Sequence, residues 1–246
     1  MSKSDSLIAH RFTPINENLI TALVNSQLYF SPVHNFNDPY DCRINIEGSL
    51  KNALEAASKT QKLILQVYTT ELLSRMKVMT EQVGVVCFSK ELNNMLMWSH
   101  YTNNHTGLCL TYEIPNEFIL NNAPPLLGWS EVKYRNDEIK NFFLTLNLNN
   151  SDDDYKNFIE PLVLTILTTK SEDWGYEQEF RIVKSQPGKF DVDRNWLKQI
   201  CFGLATTDEH CELIKKLISN HGYRDIHFAK MIRTNSHDFG FEALDI

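Results

Sequence analysis

The sequence lacks any apolar run near the roughly 20 residues that a membrane-crossing helix needs, so no membrane partner is expected. It also lacks a surplus of basic charge. Lys and Arg number 24 against 31 Asp and Glu, for a formal net charge of −7. Nonspecific coating of nucleic acid needs the opposite balance, although a local basic groove stays compatible with this one. Cysteine is sparse and scattered. Cys42, Cys87, Cys109, Cys201 and Cys211 form no CxxC pair, and no secretory segment opens the chain. Three of them sit in apolar runs (VVCFS, GLCLTY, QICFG), where Cys behaves as a small core residue. The expectation is reduced thiols in a cytoplasmic protein.

Several catalytic signatures are missing too. There is no GxxxxGK[ST] and no GxGxxG, which argues against a glycine loop cradling phosphates. The G-x-S-x-G elbow of hydrolases is absent. His100 and His105 are spaced H-x4-H, but YTNNH between them has the composition of a turn and no HExxH follows. A structural histidine pair is the simpler reading. No internal repeat is visible.

What is present is an ordinary globular composition, 42% hydrophobic and 22% charged. The length of 246 residues is ample for one large core. LIAHRFT has the pattern of a short strand. INENLITALVNSQ follows with Ile15, Leu19, Ala22 and Leu23 at helical spacing, and Thr13-Pro14 as its start. LYFSPV is a strand and HNFNDPYD a loop. Helical spacing runs from about Gly48 to Met79. VGVVCFSK and LCLTYEI flank a helical turn and the TNNHTG turn. A strand near SEVKY precedes a polar loop, LNLNNSDDD, and a helix from about Asp154 to Lys170. The C-terminal part alternates strand, helix, strand, strand. Strands and helices interleave without a βαβ rhythm. An α+β fold is expected, a mixed, mainly antiparallel sheet flanked by helices. One domain, 1–246, would carry a helical insertion at about 48–80.

Three polar clusters stand out. FNDPYD places Asn37 and Asp38 before a proline, either as a plain turn or at a pocket rim. MWSHYTNNHTG gathers Trp98, His100 and Tyr101, either as an aromatic core or as a ligand wall. EDWGYEQEFRIV puts Glu177, Glu179 and Arg181 on one face of an alternating segment, with Gln178, Phe180 and Ile182 on the other. If that face is solvated, the ion pairs contribute about 0–1 kcal/mol. If it is enclosed, two carboxylates suit acid-base work.

With these three clusters the chain resembles a bacterial and phage family, domain of unknown function 2971. The matching blocks are FNDPYD (36–41), CFSKELNNMLMWSHYTNNHTGLCL (87–110) and KSEDWGYEQEFRI (170–182). More distantly it is similar to the ADP-ribosyltransferase superfamily and its split sheet. That likeness implies an NAD substrate met by His10 or Arg11 on the first strand. It implies Ser89 supporting the nicotinamide pocket, and Glu179, aided by Glu177, at the ribose. Trp98, Tyr101 or Trp174 would stack on a ring, while His100, Asn37, Asp38 and Arg181 would border the site. The acceptor would be a macromolecule, protein or nucleic acid. The company of the family implies a toxin or phage-defence effector, with an antitoxin or defence partner. Two alternatives compete. One is a metal-dependent hydrolase or nuclease-like enzyme using Asp38, His100, His105 and Glu177. The other is a non-enzymatic ligand-sensing domain.

Overall fold

The computed structural model describes residues 6–117, 128–145, 158–235 and 238–246. The LNLNNSDDD loop, and the part of the expected helix before residue 158, lie outside them.

The first strand, β1 (Ser6–Thr13), is followed by α1 (Glu17–Asn25). The helix starts after Thr13-Pro14, because Asn16 caps it by accepting from the Leu19 N–H at 2.9 Å. Leu19 and Leu23, four apart, bury one face. Ser26, at φ 54°, ends the helix in the left-handed region. β2 (Gln27–Pro32) leads to the FNDPYD loop. The expected long helix divides into α2 (Ile46–Ala56) and α3 (Lys59–Gln82). The break is set by Ser58, which forms a capping box with Gln61.

β3 (Gly84–Ser89), α4 (Met95–Tyr101) and β4 (Leu108–Pro115) follow, then the short β5 (Gly128–Glu131) and β6 (Lys133–Tyr134). Next come α5 (Glu138–Thr145), α6 (Glu160–Leu167), β7 (Thr169–Lys170), β8 (Glu179–Lys184) and β9 (Gly188–Asp191). The chain closes with β10 (Leu197–Phe202), α7 (Asp208–Asn220), β11 (His227–Arg233) and β12 (Phe241–Asp245). The helix expected to reach Lys170 stops at Leu167. Thr168 and Thr169 turn their hydroxyls back onto the carbonyls of Leu164 and Thr165. Lys170 thereby leaves the helix for a strand.

Ten strands form one sheet in the path β12-β11-β10-β4-β1-β3-β2-β9, with β8 beside β3 and β5 beside β8. All its pairings are antiparallel except β10 with β11. The fold is therefore α+β with a mixed, mostly antiparallel sheet. The C-terminal strands extend that sheet from β4. β1 pairs along its length with β4 but meets β3 only at His10 and Ser89. The sheet is thus split between β1 and β3.

The core lies on both faces. One face packs Ala9, Phe88, Leu110, Phe180 and Ile182 with α1 and α7. The other packs Val85 and Val183 with α2, α5 and α6. No helix of the described residues is long and apolar enough to cross a membrane.

Candidate functional site

A cavity of about 590 Å3 opens at the split. Its walls include His10, Arg11, Asn37, Ser89, His100, Tyr101, Glu177 and Glu179. These residues come from five separate segments. β1, β3 and β8 are neighbours, and their register aligns His10 with Ser89 and Ser89 with Glu179. The three side chains therefore stand in one row across three strands.

Alternation predicts Glu177 and Glu179 on one face of a single strand, but the structure separates them. Glu172–Glu177 is a 3-10 turn, and Gln178 at φ 43° kinks the chain before β8 begins at Glu179. The two carboxylates still converge, because Lys170 reaches both of them. Its ammonium bonds Glu177 Oε2 and lies 3.5 Å from Glu179 Oε2 and 3.4 Å from Asp41 Oδ2. Arg181 closes the other side. Its Nε and Nη2 donate to Glu179 at 2.9 and 3.0 Å. Nη1 and Nη2 each donate to Asp41 at 2.8 Å, and Nη1 also reaches the Leu167 carbonyl. The side chains of all five ionic residues are at most 6% exposed. Arg181 is therefore an internal organiser and not a cavity wall.

Three carboxylates here share two cations, so one carboxylate is left under-compensated. That one is Glu177. Burial, then the charge of Glu179, raise it to about 6, although Lys170 and Tyr101 pull the other way. Burial would also raise Glu179, but Arg181 and Lys170 outweigh it and hold Glu179 at about 2. Glu177 Oε1 accepts from the Tyr101 hydroxyl at 2.5 Å. Asn37 lines the same cavity as Tyr101. The Glu179 N–H donates to the Tyr134 hydroxyl at 2.7 Å.

The Ser89 hydroxyl donates to the Glu177 carbonyl at 2.7 Å and accepts from the Glu91 N–H at 3.1 Å. It fixes the turn that carries the carboxylates. His10 Nδ1 lies 3.0 Å from Thr111 Oγ1. Burial lowers its pKa, which favours the neutral ring at pH 7. His100 is exposed at the rim, its ring 6.2 Å from that of Tyr176.

Four expected site residues lie elsewhere. Trp98 is fully buried, edge-on to Phe12, and donates Nε1–H to the Leu92 carbonyl. It is core and not a ring-stacking wall, since its apolar area is already covered by α4 packing on β1 and β10. Asp38 and Trp174 line a separate cavity of about 470 Å3. Asp38 accepts from the Tyr40 N–H at 2.9 Å, which is the Asx-turn role. Trp174 lies 4.7 Å from the Lys170 ammonium and packs on the cluster from outside. Arg181, as above, is enclosed.

The TNNHTG turn has a structural explanation. Asn103, Asn104 and His105 take φ of 51°, 57° and 66° in succession, a conformation Asn tolerates better than most residues. A Cβ on Gly107 would lie 2.3 Å from the Thr13 carbonyl oxygen. Gly107→Ala should therefore cost about 1–3 kcal/mol, measurable as a lower Tm with little change in a ligand's affinity. Among the described residues, no group of three or more His, Cys, Asp or Glu side chains is placed to hold a metal ion. Asp38, His100, His105 and Glu177 are not assembled as the metal-dependent alternative needs.

Composition gave no signal for Lys170, Asp41 and Tyr134 as site residues. The first two were visible only as ends of motif blocks, at 170 and 41.

Residues 97–182 match the family model described as Protein of unknown function (DUF2971). The matched span opens at Met97 in α4 and closes at Ile182 in β8, so it contains Tyr101, Lys170, both glutamates and Arg181. No curated protein and no solved structure matches the chain.

Proposed function

We propose that this chain is an enzyme that cleaves the bond between nicotinamide and ribose in NAD and transfers the ADP-ribose to a macromolecular acceptor, protein or nucleic acid. The observation that carries this reading is a pair of carboxylates at one cavity in unlike surroundings that drive their proton affinities apart: Arg181 forks Glu179 and holds it low against its burial, whereas Glu177, bonded to Tyr101 and Lys170, is raised by burial and by Glu179. Such separation assigns two roles to two chemically identical groups. Glu179, held ionised, faces the ribose. As the C1′–N bond breaks, its electron pair leaves with nicotinamide and positive charge builds on the ribose, which a fixed carboxylate stabilises. Glu177 takes the proton from the acceptor hydroxyl or amine as that group bonds to C1′. Water in place of the acceptor gives simple NAD hydrolysis. The row His10, Ser89 and Glu179 also supports the reading, because it sets a histidine, a backbone-fixing serine and the carboxylate side by side.

The test is release of nicotinamide from NAD, with lysate proteins and nucleic acids supplied as acceptors. Glu177 acts as a base only when deprotonated. The rate should therefore rise with pH through about 6 and level off above it. A profile that falls across that range would assign Glu177 the acid role instead. Action as a toxin or phage-defence effector in the cytoplasm, restrained by an antitoxin, extends this proposal on the strength of the family resemblance.

A further inference from the structure

The cavity of about 470 Å3 that holds Asp38 and Trp174 backs onto the ionic cluster. It forms where the FNDPYD loop, the first turns of α2 and α5, and the turn after β7 meet. Asp41 and Lys170 line both this cavity and the one with the carboxylates, so they form the wall between the two. Glu177 and Glu179 do not line the second cavity. Its occupant is therefore not the group that reacts at them.

The rings of this cavity point to a ligand. Tyr40 is 80% exposed. Among the described residues, no ring contact or side-chain hydrogen bond holds it. An uncovered aromatic that lines a cavity beside a second one differs from a lone surface ring. That second ring is Trp174, which is half-buried. The Lys170 ammonium already lies 4.7 Å from its indole, so this ring meets a cation within the protein itself.

The charges of the cavity give the sign of the ligand. Asp41 and Lys170 are engaged in the cluster. Glu138 is paired with Lys133 at 2.5 Å and lies 3.8 Å from Arg135. Asp38 and Asp173 remain. Asp38 accepts from the Tyr40 N–H at 2.9 Å, and Asp173 from the Ser171 hydroxyl at 3.1 Å. Among the described residues neither has a cationic partner. Ile44 and Ile139 add apolar wall. Two carboxylates without a cation, two rings and an apolar wall suit a long side chain with an apolar stem and a flat positive head.

We propose that this cavity binds an arginine side chain from a basic segment of a protein partner. The stem packs on the isoleucines, and the guanidinium stacks on an aromatic ring and donates to a carboxylate. The formal net charge of −7 attracts such a segment and repels nucleic acid. The site goes beyond the NAD reading and does not depend on it.

The experiment is an NMR titration of the whole chain, without NAD, with a five-residue capped peptide of one arginine flanked by glycines. The signal followed is the Trp174 indole N–H, assigned by its loss in Trp174→Phe. A second peptide carries citrulline in place of arginine, which keeps the shape and removes the charge. The arginine peptide should shift the Trp174 signal, and the citrulline peptide should bind at least tenfold more weakly. Asp38→Asn together with Asp173→Asn should weaken arginine-peptide binding about tenfold. The fold should survive, because asparagine also supports the turn at 38. Tyr40→Ala removes an exposed ring and should weaken binding about threefold, with Tm unchanged. Equal binding of the citrulline peptide, unchanged binding by the double variant, or no shift at millimolar arginine peptide would overturn the proposal. Tighter binding of a single-stranded oligonucleotide at Trp174 would overturn it too, by making the partner a nucleic acid. Failure here leaves the NAD reading standing, and a protein that binds the peptide but leaves NAD intact keeps this site alone.

Discussion

Arg181→Ala should lower stability by about 3–5 kcal/mol, the typical effect of breaking a buried ion pair from one side. Arg181 is fully buried and fills both Asp41 and Glu179 with paired hydrogen bonds, while its Nη1 also satisfies the Leu167 carbonyl. Removing it leaves Asp41, Glu177 and Glu179 around Lys170 alone. Solvent cannot compensate, because each of these side chains is at most 6% exposed. Denaturant titration would show a lower midpoint with an unchanged slope. Arg181→Lys should recover only part of the loss. A single ammonium cannot donate in two parallel pairs to two carboxylates. A loss below about 1 kcal/mol, the range of exposed pairs, would mean that the cluster opens to water in solution.

Glu177→Gln should reduce nicotinamide release by about 10²–10⁴-fold, the usual contribution of a positioned general base, while Tm moves much less than in Arg181→Ala. The amide keeps an oxygen for the Tyr101 hydroxyl. Lys170 keeps Asp41 and Glu179 as partners. The substitution also brings the cluster to two carboxylates and two cations, so it relieves the excess charge that raises Glu177. Glu179→Gln is a poorer probe, because it breaks the fork with Arg181 and mixes lost chemistry with lost stability. If Glu177→Gln releases nicotinamide at the wild-type rate, the base is another group.

Much of the fold is legible in the sequence because its signals are local. Leu19 and Leu23 mark α1, and the Val-rich run before Ser89 marks β3. Boundaries were less legible where a side chain caps or turns the chain. Asn16 moved the start of α1, Ser58 divided the long helix, and the threonines at 168 and 169 released Lys170 into a strand. The convergence of the FNDPYD, MWSHY and WGYEQEFR blocks was visible only as motif company, since Asp41 and Arg181 are 140 residues apart.

Roles were harder to read than membership of the site. Trp98 and Tyr101, three apart, appeared equivalent on a helical turn. One is sealed under Phe12 and the other reaches Glu177, a difference decided by which side of α4 faces the sheet. His10 and Arg11 were interchangeable as NAD contacts in the sequence. Strand alternation at the split sends them to different faces. The same geometry separates Glu177 from Glu179, since burial and charge count, invisible in a linear motif, set their proton affinities.

The most direct measurement is nicotinamide released from NAD by the wild-type chain and by Glu177→Gln side by side, at pH 7.5 with lysate acceptors present. The carboxylate-pair account predicts steady release by wild type and at least a hundredfold less by the variant, with both proteins folded. Intact NAD after prolonged incubation with folded wild-type protein, or equal release by the two, would contradict it.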